Sequence, residues 1–206
     1  MNGVFAKHWF KFATVAIMLV IIGAIGYNAL PKDSGSKFTV DLPAADFALD
    51  NVDGKKIGIQ NTNGKVRLVY FYYSYCPDVC TPTTAFLSTV RDALVEKGEF
   101  GKSAQFISIT FDPTRDTTER LTKFANQFNA DTNNWFFVRG EEKATFALAE
   151  EYKVGVVKDK DGNFSHTNSI ALVDKKGKIR KFYDVSDLKL TKEVVANDIV
   201  ALGKEK

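Results

Sequence analysis

The stretch YFYYSYCPDVCTPTTAFL, Tyr70 to Leu87, carries both cysteines of the 206-residue chain, Cys76 and Cys80. Just upstream, KVRLVYFYY (65–73) is nearly continuous in aromatic and β-branched residues, the pattern of a central strand buried on both faces. Downstream, Phe86, Leu87, Val90 and Leu94 recur at helical spacing and Gly98 ends the pattern, which predicts a helix over about 82–97. The cysteines therefore lie between a strand's carboxyl end and a helix start, where α/β sheets hold their sites. Helix-start N–H groups favour negative charge, so thiolates are stabilised there.

The interval between the thiols narrows the chemistry. Residues four apart on a helix have Cβ atoms about 5–6 Å apart, whereas a disulfide prefers about 3.5–4.5 Å. A helical CxxxC must distort to close, but two thiolates sharing a metal at about 2.3 Å per bond have more latitude. Pro82 suits a helix's first turn and not its interior. That places CPDVC (76–80) on a tight loop, with Thr81 as cap and the helix proper starting near Pro82. Pro77 and Asp78 make the turn polar and exposed, a poor setting for two inert buried thiols.

Working outward, DFALDNVDGKKIGIQ (46–60) reads as a β-hairpin turning at Asp53-Gly54. AQFISIT (104–110) is a second interior strand, followed by the loop FDPTRDT (111–117). Asp116 with Glu119 resembles a helix-start box for TTERLTKFANQFN (117–129). NWFFV (134–138) is a short strand and EEKATFALAEEYKV (141–154) a helix. NSIALVD (168–174) and KIRKFYD (178–184) form a hairpin, and a helix over about 188–202 closes the chain. The expected fold is α/β and thioredoxin-like, a mixed sheet flanked by helices with an added N-terminal β-hairpin.

The first residues differ in kind. Phe12 to Leu30 contains nineteen positions without a charge, roughly 28 Å of helix against a bilayer core of ~30 Å. Lys7 and Lys11 precede it, which orients a single-pass anchor with its N-terminus cytoplasmic and the rest in an oxidising, extracytoplasmic space. The expected organisation is a cytoplasmic N-terminus (1–11), a transmembrane anchor (12–30), a polar linker (31–37) and one domain (38–206). A cleaved signal peptide, with Ala24 and Gly26 at the cleavage site, is the alternative. Net charge is +3, with basic and acidic residues intermixed, which argues against nucleic-acid binding. Two cysteines cannot make a disulfide scaffold.

A metal held by two thiolates wants a further donor. The histidines are His8, beside the anchor, and His166, in GNFSHTNSIALVD just before the terminal hairpin. In a thioredoxin-like fold that junction packs against the cysteine turn, so His166 is the candidate third ligand. Two thiolates and an imidazole form a soft, low-coordinate set suited to copper, with zinc the weaker fit for want of a fourth protein ligand.

With these residues in place, the sequence resembles the Sco/SenC family of membrane-anchored copper proteins that help assemble cytochrome c oxidase. YFYYSYCPDVCTPTT, ITFDPTRDT and FSHTNSIALVDKKGKI carry the resemblance, which covers about 40–200. It implies that Cys76, Cys80 and His166 bind Cu(I) and Cu(II). It implies delivery of copper to the dinuclear copper centre in the oxidase's second subunit, or reduction of that centre's cysteines before loading. Another copper chaperone or a thiol reductant would be further partners, and the chain would be a metallochaperone rather than an enzyme acting on a small molecule. Two places depart from the family pattern: Ser74-Tyr75 stands where Thr-His often precedes the first cysteine, and Thr81 where proline commonly follows the second. Neither removes a ligand.

The main rival is a thiol–disulfide oxidoreductase without copper delivery. Thioredoxins carry CxxC and a cis-proline opposite it; this chain has CxxxC and no proline after Pro113. A peroxiredoxin-like peroxidase would need PxxTxxC, which is missing, and a purely structural domain would not need the thiols. Asp78 is a weaker candidate within the cysteine loop. Asp112 and Arg115 are expected to organise the loop after the second interior strand.

Overall fold

A computed structural model describes residues 4–29, 38–160 and 162–205. The chain divides into two units, 1–37 and 38–206. In the first, α1 (Val4–Ala29) is one helix that begins before the expected anchor and takes Lys7 and Lys11 into its opening turns. Its described large apolar side chains, among them Val15, Leu19 and Ile22, are exposed. No helix of the described residues is long and apolar enough to cross a membrane. The expected linker, 31–37, lies outside the described residues.

The second unit runs β1 (Leu42–Pro43), β2 (Leu49–Asn51), β3 (Lys56–Ile57), β4 (Val66–Tyr72), α2 (Cys80–Glu96), β5 (Ala104–Thr110), α3 (Thr118–Gln127) and β6 (Trp135–Arg139). It continues with α4 (Glu142–Glu151), β7 (Val156–Lys158), β8 (Phe164–His166), β9 (Ser169–Val173), β10 (Lys178–Asp184) and α5 (Lys192–Lys204). Eight strands form one mixed sheet in the order β1-β10-β9-β4-β5-β6-β2-β3. β4 and β5 are parallel, and every residue of both is buried, as their largely apolar character favours. β9 closes antiparallel on β4 and β10 on β9. Alternation along β4 builds the two layers. Tyr72 stacks on Phe124 of α3 with centroids 5.3 Å apart, while Phe71, on the opposite face, meets Tyr152 just past α4 at 5.5 Å.

The thioredoxin-like sheet and the N-terminal hairpin are as expected, with Gly54 at a left-handed φ of 82° in the turn. The hairpin is no appendage: β2 pairs with β6 and extends the sheet. Three helix starts differ from the sequence reading. α2 begins at Cys80 rather than near Pro82, so Thr81 is inside the helix and caps nothing. α3 is capped by Thr117, whose hydroxyl accepts from the Arg120 N–H at 3.2 Å, and Asp116 is freed for a buried role. α5 starts at Lys192, capped by Thr191 accepting from the Val194 N–H at 3.3 Å, because a turn closed by the Leu190 N–H on the Asp187 carbonyl precedes it. A two-stranded hairpin, β7 with β8, stands outside the main sheet and was not anticipated.

Candidate metal centre

Three residues, Tyr73 to Tyr75, separate β4 from Cys76, and that loop is pinned from below. The buried Asp116 carboxylate accepts from the Ser74 N–H at 2.9 Å, from the Ser74 hydroxyl at 2.6 Å and from the Thr110 hydroxyl. Arg120 donates to Ser74 Oγ at 2.7 Å and to the Ser74 carbonyl at 2.8 Å, and its guanidinium lies 4.3 Å from the Tyr75 ring centroid. The Ser74-Tyr75 pair is thus the framed part of the loop. The sequence reading gives Asp116 only a helix-start role and does not single out Arg120; both stand in the FDPTRDTTER run (111–120), but only the fold reveals what they face.

A helix's first N–H groups lack intrahelical partners. Val79, the N-cap of α2, supplies no side-chain acceptor. Cys76 Sγ takes that place: the Cys80 N–H donates to it at 3.4 Å. Partial burial opposes ionisation of Cys76, but the Cys80 thiol and the N–H groups of Cys80, Asp78 and Val79 outweigh it and lower the pKa. The neighbour is its opposite. Cys80 is fully buried, and burial followed by the Cys76 sulfur pushes its pKa well up. The two sulfurs therefore differ: Cys76 gives up its proton more readily than an ordinary thiol and Cys80 less readily, until a bound cation displaces it.

His166 is the last residue of β8, and its Nε2 lies 3.4 Å from Cys80 Sγ. Its Nδ1 is 3.1 Å from the Thr167 carbonyl. A carbonyl only accepts, so Nδ1 carries the proton and Nε2 presents its lone pair to the sulfurs. Burial lowers the imidazole pKa against the opposing Thr167 contact, which keeps the ring in its neutral, ligating form at pH 7. Phe111 packs on the ring at 5.1 Å and Tyr73 at 6.4 Å between centroids. Phe164, two residues earlier on the same face, fills the space between them, 5.1 Å from each.

The ligand atoms of Cys76, Cys80 and His166 all lie within 4.8 Å of one another, and no other such group of three occurs among the described residues. A copper ion fits this donor set: two soft sulfurs, one preset nitrogen lone pair and an open side. That side is a groove of about 510 Å³ lined by Tyr75, Pro77, Asp78, Arg115 and Phe164 besides Cys76 and His166, with Cys80 buried behind it. Asp78 is exposed and stands outside the cluster. Asp112 is buried and ion-paired to Arg115, so the pair does organise its loop. His8 lies among residues whose side chains are not described.

A family model described as SCO1/SenC matches residues 39–203. The chain is 32% identical over 143 residues to the SCO1 protein homolog of Bacillus subtilis, covering 67% of this chain and 72% of that one. Among solved structures, BsSco, described as a member of the Sco family of cytochrome c oxidase assembly proteins with a disulfide switch, superposes with a TM-score of 0.70 at 25% identity. That match covers 81% of this chain and 96% of BsSco. Bradyrhizobium japonicum ScoI with copper bound gives 0.64 at 29% identity, over 78% of this chain and 99% of that one.

Proposed function

This chain belongs to the SCO1/SenC family, and from that premise we propose that Cys76, Cys80 and His166 carry a single copper ion as cargo. The observation that supports this most is the convergence of the three donors within 4.8 Å on one open edge of the sheet. Thiolates suit Cu(I), and the imidazole adds the harder nitrogen that Cu(II) prefers. Copper leaves by ligand exchange to a partner's ligands, the groove giving the incoming donors access. The receiving partner in this reading is the copper-site subunit of cytochrome c oxidase, with a second copper chaperone or a thiol reductant upstream. In this reading the uncharged run from Phe12 to Leu30 ties the domain to a membrane on its extracytoplasmic side, raising its effective concentration near a membrane-bound partner.

The decisive experiment is an anaerobic titration of the reduced full chain with Cu(I) and with Cu(II). One ion of either kind per chain is expected, with sulfur-to-Cu(II) charge-transfer absorption. Fewer than half an ion bound, or a stoichiometry unchanged when both cysteines are replaced by serine, overturns the reading.

The thiol asymmetry supports a second reading, reduction of a partner disulfide. The Cys76 thiolate attacks one partner sulfur, and a mixed disulfide forms as the partner's S–S bond breaks. Cys80 then loses its proton and displaces the partner from Cys76. The products are a Cys76–Cys80 disulfide and a partner dithiol, two electrons and two protons having passed to the partner. Oxidised chain that is reduced by no dithiol of physiological potential would remove this activity.

A further inference from the structure

We propose that Arg115 is a positioning residue: it clasps the His166 hairpin to the cysteine loop and thereby sets the site's hold on Cu(II), while Cu(I) stays with the thiolates. This rests on the copper reading above. The need for a clasp comes from topology. The cysteines stand on the eight-stranded sheet and α2, but β7 and β8 pair only with each other. Past His166 the chain is secured by backbone and amide contacts, the Val185 N–H donating to the Asn168 carbonyl at 3.2 Å and the Asn168 side chain donating to Thr83 Oγ1 at 3.2 Å. Before His166, side chains do the holding.

Arg115 reaches every segment involved. Its Nη2 donates to the Gly162 carbonyl at 3.0 Å, in the connection between β7 and β8. Its Nε is paired with the buried Asp112 carboxylate, which fixes the guanidinium to the loop after β5. Its cation lies 5.7 Å from the Phe164 ring on β8, and 5.8 Å from both Tyr73 and Tyr75, which flank the approach to Cys76. One planar fork thus joins the hairpin's connection, the strand bearing His166 and the cysteine loop. A lysine cannot hold Asp112 and Gly162 together in this way.

Losing the bridge lets the hairpin swing and draws Nε2 off its position 3.4 Å from Cys80 Sγ. Cu(I) tolerates two sulfur ligands; Cu(II) needs the nitrogen. The separation between the two oxidation states is what distinguishes a clasp on the histidine from a general loss of structure.

The test uses the full chain with R115Q, R115K and, as a control, E142Q. Glu142 of α4 pairs with Lys158 of β7, a second side-chain tie on the hairpin that does not involve Arg115 or Asp112. Without metal, amide exchange at Phe164–His166 should rise about tenfold in R115Q, the scale of one hydrogen bond plus a cation–π contact, with β5 unchanged. Cu(II) affinity should fall by about tenfold or more with a shifted charge-transfer band, and Cu(I) affinity by less than about threefold. R115K should follow R115Q and E142Q the wild type. Unchanged exchange in R115Q, equal losses for both oxidation states, a wild-type R115K, or an E142Q that matches R115Q would each overturn the proposal. A wild-type chain that binds no copper overturns the copper reading instead, and the exchange measurement still judges the clasp.

Discussion

The cysteine loop and the histidine hairpin meet at one point but are supported by different physics. Cys76 and Cys80 sit at the end of a strand paired on both sides, and their loop is tied down by the buried Asp116 carboxylate and the first turn of α2. His166 ends a three-residue strand outside that sheet, held in place by Phe164, Arg115 and the contacts that follow it. The difference teaches that the two sulfurs are one rigid unit and the nitrogen a separately mounted third arm. A site built this way can keep two ligands while the third adjusts. That is useful where an ion of two charge states must be held and then surrendered.

The largest effect should follow from damaging the rigid unit. Cys76→Ser or Cys80→Ser removes a thiolate, and Cu(I) affinity should fall by more than the roughly 10–100-fold of a lost outer-shell partner. His166→Ala should abolish the Cu(II) charge-transfer signature while retaining most Cu(I) binding. Equal loss of both ions in His166→Ala, read by parallel competition titrations, would make the three ligands a single unit and break the contrast.

Next in size is the hairpin's plug. Phe164 is buried against Tyr73, Phe111 and Phe146. Phe164→Ala should cost about 3 kcal/mol in chemical denaturation, at the low end for a truncated aromatic because the site can partly collapse. Cu(II) binding should suffer more than Cu(I). A loss below about 1 kcal/mol would show that the hairpin does not depend on its aromatic seat.

How much of this could be read in advance follows the same division. The cysteine unit was legible because strand, turn and helix are local: an apolar run, two thiols four apart and a helical period predict it. The helix start was misplaced by two residues because Thr81 resembles a cap, whereas a sulfur meets the first N–H groups. Asp116 was likewise assigned to the nearest helix; its partners Ser74 and Thr110 are contributed by other segments, and no local pattern carries that. His166 was placed correctly by topology, while its strand was missed. β7 and β8 are three residues each, too short for alternation to stand out, and Phe164 two before His166 was the sole hint.

A subtler contrast lies within the rigid unit, between its two thiols. With its pKa lowered, Cys76 should alkylate with iodoacetamide at a pH below that needed by an unstructured cysteine, while Cys80 should stay silent until well above it. The sign for stability follows from Cys80. Unfolded, it ionises near pH ~8.5; folded, it keeps its proton, so above that pH the unfolded state binds fewer protons and reduced protein loses stability as pH rises. Cys80→Ser should flatten that decline. Denaturation midpoints for reduced wild type that do not fall between pH 8 and 10 would show that Cys80 is not held protonated by the fold.

The smallest expected effect tests whether the cysteine loop's frame extends to its exposed rim. Tyr75 is about half exposed, and its ring is covered by Arg120 at 4.3 Å and approached by Arg115 at 5.8 Å. Arg120 also holds Ser74 through two hydrogen bonds, so the ring is one of several contacts that orient this guanidinium. Removing it in Tyr75→Ala forfeits a cation–π contact of about 0.5–1 kcal/mol at an exposed site. The Asp116 hydrogen bonds to Ser74 remain, so Cys76 keeps its position and Cu(I) affinity should change by less than about threefold. Arg115 keeps Asp112, Gly162 and Phe164, so the hairpin should stay seated as well. A tenfold fall in Cu(I) affinity in Tyr75→Ala would move the support of Cys76 from the buried carboxylate to the surface ring, and the rigid unit would end at the sheet edge rather than at the thiols.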